Sequence, residues 1–288
     1  MKMFWFFILI SIFFKGCAAM PQKTNYEKKG SVLKYPVILV HGIAAHDRKS
    51  LVSFWGRIPQ IYRDNGIEVF FGNTDSWGSI ESNAEILKDT IDKALMETGS
   101  GKVNIIAHSK GGLDARFLIW KYSYGEKIAS LTTISTPHHG AEIADLIFQQ
   151  EIIHTKNARE ILKTFGEWYG DINPDIYNVN YQLTTFKMKE FNEKVVMDEN
   201  VFYQSIYSTM KNAFDDMMFF YSFLHIKKTG GANDGVVSEK SANWSPNTKK
   251  IVNISHAEIV DYKKHKISGI NIPDIYMDIA RDLGKRGF

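Results

Sequence analysis

Residues 103–112, VNIIAHSKGG, constrain this chain more than any other stretch. Val103 to Ala107 read as a buried strand, and a helical pattern begins near Gly111 and runs to Tyr122. The chain must therefore pass from strand to helix through His108, Ser109 and Lys110 alone. So sharp a turn forces its middle residue into a strained backbone conformation, and only small residues fit two positions to either side. Ala107 and Gly111 meet that need, which makes the segment a G-x-S-x-G elbow with alanine in the first place.

The flanking sequence supplies the sheet that such an elbow needs. Pro36 to Val40 is a continuous apolar run, as a strand buried on both faces requires. Trp55 to Asp64 has apolar residues at helical spacing, and Ile67 to Phe71 reads as a strand. Glu81 to Glu97 is an amphipathic helix with Ala84, Leu87, Ile91 and Leu95 on one face. Leu131 to Ser135 and Lys250 to Ile254 are further strands. This alternation predicts an α/β fold, a doubly wound and mostly parallel central sheet flanked by helices.

Between Ala141 and about Asn200 the pattern changes. Ile143, Leu146, Ile147, Ile152, Ile153, Ile161, Leu162, Phe165 and Trp168 fall at helical spacings, with no strand among them. Helices inserted there would lie above the C-terminal edge of the sheet, where ligands bind in open α/β folds. The insertion is either extra core or a lid with an apolar underside, and periodicity does not separate the two. The expected organisation is one domain over residues 20–288 that carries this insertion.

Bulk properties exclude several classes. A hydrophobic share of 44% and a charged share of 23% describe a globular protein. A net charge of +3 with no basic stripe argues against nucleic acid as a partner. Lys249-Lys250 and Lys263-Lys264 are short runs beside carboxylates and read as solvated surface. No repeat of solenoid or propeller period is visible. Cys17 is the only cysteine, so no intramolecular disulfide can form, and no His/Cys cluster has zinc spacing.

Residues 1–19 stand apart: Lys2, an apolar run from Met3 to Phe14, then Gly16-Cys17-Ala18-Ala19. That is the grammar of a secretory signal, and the run is short of the roughly 20 residues that span a bilayer. It places the protein outside the cell or in its envelope. Cleavage, lipid attachment at Cys17 and retention as an N-terminal membrane anchor all remain open.

A serine hydroxyl attacks only if a base takes its proton and an acid holds the base. Elbows of this kind are followed in chain order by the acid and then the histidine. His256, on a loop after the strand-like Lys250–Ile254, fits the base; His265 lies among lysines, and His138 and His139 precede the acid. Asp234 lies in a glycine-rich turn, Gly230 to Val237, 22 residues before His256. Asp215 and Asp216 compete with it, but in a helical or irregular stretch. The oxyanion of a tetrahedral intermediate needs two N–H donors. The backbones of Lys110, next to the serine, and Ile43, in the loop after the first strand, are placed to give them.

Taken together, YPVILVHGIAAHD (35–47), WGRIPQIYRDNG (55–66), VNIIAHSKGGLDARF (103–117), STPHHGAEIAD (135–145), LTTFKMKEFNEKV (183–195) and GANDGVVS (231–238) resemble the secreted bacterial triacylglycerol lipases of the α/β-hydrolase fold. The similarity runs, with gaps, from about residue 34 to 262. It implies Ser109 as nucleophile, Asp234 as acid, His256 as base, Ile43 and Lys110 as oxyanion donors, and residues 141–180 as the lid region. It implies no cofactor for the chemistry. Several relatives hold a structural calcium between an aspartate upstream of the acid and one two residues past the histidine; here those positions fall on Asp215 and Glu258. Lys110 departs from the neutral residue or histidine usual beside the nucleophile, which puts substrate preference and pH response in question.

The expected activity is hydrolysis of carboxylic esters, of triacylglycerol or other lipids, at a lipid–water interface. A short-chain carboxylesterase and an acyltransferase would use the same triad. A binding protein on this fold would be free to lose triad members, and none is lost. Oligomeric state leaves no trace in the sequence.

Overall fold

The computed structural model describes residues 31–47 and 54–288, so the expected signal segment lies outside the described residues. Six strands form one sheet: β1 (Val37–Val40), β2 (Val69–Phe71), β3 (Val103–His108), β4 (Ile128–Ile134), β5 (Phe202–Thr209) and β6 (Thr248–Val252). They lie in the order β2-β1-β3-β4-β5-β6, and every pairing is parallel. β1, β3 and β4 are buried along their whole length, as strands covered on both faces must be.

Alternate side chains of these strands feed two cores. Val37, Leu39 and Ile106 pack on one face with Tyr62 of α1 (Ile58–Asp64), with Trp55, and with Tyr276 and Leu283 near the C-terminus. Ile38, Val40 and Ile105 pack on the other with Leu87 and Ile91 of α2 (Ile80–Thr98) and Leu118 of α3 (Lys110–Tyr122). α2 starts where the Ser79 hydroxyl accepts the N–H of Ser82 and stops at Gly99, whose φ of +67° suits glycine.

β5 is absent from the sequence reading. Its residues FYQSIYST show no apolar run, yet Ser205, Ser208 and Thr209 are buried. The Thr133 hydroxyl donates to Ser205 Oγ, and the Ser135 and Ser208 hydroxyls share a hydrogen bond, so neighbours in the sheet satisfy them. β6 closes that edge with Lys249 and Lys250 exposed.

The region after Ala141 is helical, as its periodicity suggests: α4 (Glu142–Phe148), α5 (Lys156–Tyr169), α6 (Ile176–Gln182) and α7 (Thr185–Lys194). Ala144, Val179, Leu183 and Met188 pack against Ile80 and Leu113, so the inner faces of α4, α6 and α7 are core. Asp171 fastens it to the body by accepting the N–H groups of Ser76 and Trp77, both at 2.8 Å. The chain continues through α8 (Phe220–Thr229), α9 (Glu239–Ala242) and α10 (Ile272–Lys285).

Candidate active site

The C-terminal ends of β1, β3, β5 and β6 bring the predicted residues to one rim of the sheet. Val40 and Ala107 are register partners, so the loop after β1 and the elbow after β3 start side by side. Ser109 has φ 54° and ψ −132°, the strained conformation the elbow demands, and its N–H donates to Ile134 O at 2.8 Å. A Cβ on Gly42 would lie 2.6 Å from Ser109 Cβ, so the loop carrying Ile43 runs directly against the serine. A side chain at Gly111 would collide with His41 O, which explains the glycine there. Among the described residues, no hydrogen bond occupies the backbone N–H of Ile43 or of Lys110.

Asp234 is 1% exposed in a turn that closes at Gly235, φ +96°. Its Oδ1 accepts the N–H groups of Val236 (3.0 Å) and Val237 (2.8 Å), which fixes the carboxylate. Its Oδ2 lies 2.8 Å from His256 Nδ1, and the His256 N–H donates to Asp234 O at 2.9 Å. With Nδ1–H directed at the carboxylate, the lone pair of the neutral ring lies on Nε2. The Ser109 hydroxyl makes no hydrogen bond among the described residues; such contacts tighten when substrate binds.

His108 was not singled out from the sequence. Its ring lies 4.6 Å from that of His256, and its Nε2 is 3.0 Å from His256 O. Burial, followed by the proximity of His256, pushes His108 well below the usual histidine range, so it stays neutral and donates to that carbonyl.

Lys110 overturns one expectation. Its ammonium does not lie beside the nucleophile but folds back along α3 to Asp114, at 2.7 and 3.0 Å, and both side chains are 1% exposed. Asn83 Nδ2 donates to Asp114 Oδ2 at 3.0 Å and completes the cluster. Burial raises Asp114, while the Lys110 charge opposes that rise. The four-residue spacing of Lys110 and Asp114 on a helix was a legible signal.

Asp215 and Glu258 are not brought together. Asp215 is consumed by its own turn, where Oδ2 accepts the N–H groups of Lys211 (2.6 Å) and Asn212 (3.1 Å). Asp216 stands near Glu258 instead, and both engage Ser255. Lys263, expected on a solvated surface, places Nζ 2.6 Å from Glu258 Oε1. Calcium takes six to eight oxygens. Among the described residues no group of three His, Cys, Asp or Glu is arranged to hold a metal, and an ammonium already faces this pair. The residues present do not fit the ion.

This elbow, on this sheet, with an aspartate-held histidine at the same rim, defines a serine ester hydrolase of the α/β-hydrolase class. A family model described as palmitoyl protein thioesterase matches residues 36–264, and the chain belongs to that family. It is 28% identical over 257 residues to triacylglycerol lipase 2 of Saccharomyces cerevisiae, covering 82% of this chain and 75% of the yeast protein. It is 37% identical over 126 residues to a triacylglycerol lipase of Pseudarthrobacter phenanthrenivorans, covering 42% of this chain and 38% of that protein. The fold superposes on the crystal structure of Staphylococcus hyicus lipase with a TM-score of 0.71 at 17% identity, covering 92% of this chain and 98% of that one.

Proposed function

We propose that this chain hydrolyses long-chain fatty-acyl esters of lipids through an acyl-enzyme on Ser109. The contact that carries the reading is His256 Nδ1 to Asp234 Oδ2 at 2.8 Å, because a held imidazole is what makes an elbow serine reactive. Ser109 Oγ attacks the acyl carbon while His256 Nε2 takes its proton. The oxyanion is met by the N–H groups of Ile43 and Lys110. His256 then returns the proton to the departing alcohol, and water, activated by the same ring, releases the acid.

The names of the relatives support triacylglycerol as substrate, and the helical insertion supports a cover over the acyl chain. Phe214, Met217 and Tyr221, 73%, 67% and 75% exposed, give the same rim an apolar face suited to aggregated lipid. They adjoin Phe219, which packs on Gly235 beside Asp234. The signal-like pattern of residues 1–19 supports export to the cell surface or beyond. The family model favours a second reading, cleavage of a palmitoyl thioester, since the triad attacks either acyl carbon.

The test is turnover of para-nitrophenyl esters from acetate to palmitate, emulsified triglyceride and a palmitoyl thioester, with Ser109→Ala as control. Activity that rises with chain length and on the emulsion, and falls by at least about 10⁴-fold in the variant, is expected. Turnover confined to short soluble esters would make it a carboxylesterase. Turnover confined to the thioester would select the second reading. No serine-dependent turnover on any of them refutes hydrolysis.

A further inference from the structure

Asp216 and Glu258 lie on different loops, yet both carboxylates converge on Ser255, the residue before His256. The Ser255 N–H donates to Glu258 Oε2 (2.9 Å), and its hydroxyl donates to Asp216 Oδ2 (2.7 Å). Asp216 Oδ1 accepts the N–H of Met218 at 3.1 Å. Donors other than Lys263 thus engage every carboxylate oxygen of the pair except Glu258 Oε1. That oxygen faces Lys263 Nζ at 2.6 Å, and the same ammonium lies 4.0 Å from Asp216 Oδ2. The carboxylates are only 7% and 3% exposed, so their charge must be compensated where they sit.

The backbone is shaped to bring the ammonium there. A short 3₁₀ turn, Glu258–Val260, ends at Asp261 with φ 61°, which reverses the chain and returns Lys263 to Glu258. Asp261 is pinned from the other side by the Arg57 guanidinium at 2.6 and 2.9 Å. Both turns of the loop that carries His256 are therefore clamped by a cationic side chain.

We propose that Lys263 is the resident cation of the histidine loop: its ammonium joins the Asp216 and Glu258 carboxylates that a divalent ion would otherwise bridge, and so holds His256 without calcium. Lys263 is a positioning residue acting through Glu258 and Ser255. Its importance for catalysis rests on His256 being the base, whereas the clamp itself does not.

The experiment compares the full chain with Lys263→Ala and Lys263→Arg, each in EDTA and in millimolar calcium chloride. Melting temperature and kcat/KM on para-nitrophenyl butyrate are read in both. The native chain and Lys263→Arg are expected to give the same values in either buffer. Lys263→Ala in EDTA should melt about 5 °C lower, with kcat/KM down about tenfold, because two buried carboxylates lose their counter-charge. Calcium should restore much of both, since the vacated carboxylates then offer it ligands. A native chain that melts lower in EDTA and recovers with calcium overturns the proposal, as does Lys263→Ala melting like the native chain. A loss that Lys263→Arg does not avoid and calcium does not reverse also overturns it. Melting is read independently of turnover, so failure of the ester reading alone leaves this pattern intact.

Discussion

Replacing Lys110 by methionine separates two roles that sequence alone runs together. The side chain is 1% exposed and its ammonium is 2.7 Å from Asp114, also 1% exposed. Removing one member of a buried pair leaves an uncompensated charge, at a cost of about 3–5 kcal/mol. Asn83 still donates to Asp114, which puts the expected loss at the lower end, about 3 kcal/mol. For a chain of this size that is a fall in melting temperature of about 10 °C. The backbone N–H of residue 110 is untouched, so kcat/KM per folded active site should stay within about threefold of the native value. The double variant Lys110→Met/Asp114→Asn should recover most of the melting temperature, because no charge is then buried alone. Thermal melts and kinetics normalised by active-site titration read both quantities. Refutation would be a hundredfold loss of kcat/KM at unchanged melting temperature, which would place the ammonium at the reacting atoms.

Two further outcomes follow from distances and burial. Gly42→Ala drives a Cβ to 2.6 Å from Ser109 Cβ and displaces the Ile43 N–H; kcat should fall about 100-fold, and a kcat within threefold of native would remove Ile43 from the oxyanion site. His108 and His138 are buried, and both lie well below their unfolded value of 6.5. The unfolded chain therefore binds their protons first, and their contribution is present above pH 6.5 and lost as the pH falls below it. Denaturant melts should show stability dropping between pH 6.5 and 5.5, by roughly 1 kcal/mol from each histidine. The drop is partly offset by Asp171, whose carboxyl is pushed by burial up to about 6 and gains its proton in the folded chain over the same window; a flat profile there would contradict it.

The elbow, Asp234 and His256 were legible because each depends on local sequence: small residues around Ser109, glycines around Asp234, and a histidine just past a strand. The strands richest in apolar residues were legible for the same reason. β5 was not, since its buried serines and threonines look polar until β4 is placed beside them. The direction of the Lys110 side chain was hidden similarly, although Asp114 one helical turn on was a clue. Asp215 and Asp216 are adjacent in sequence and equal in chemistry; only the fold decides which one reaches Ser255. Lys263 belongs to a lysine run that reads as solvent-facing, and only the reversal at Asp261 turns it inward.

Among the described residues, the parallel sheet also leaves β6 with one side unpaired, and β6 leads directly into the loop that carries His256. An open strand edge is a template on which another chain can add itself. Here that edge presents Lys249 beside Lys250, whose ammonium is met by Glu239 at 2.6 Å, so a second copy approaching in register brings Lys249 against like charge. The strand can thus remain bare without capturing its neighbours. This insulation is electrostatic and weakens with salt, whose screening length shrinks from about 10 Å at 0.1 M to about 3 Å at 1 M.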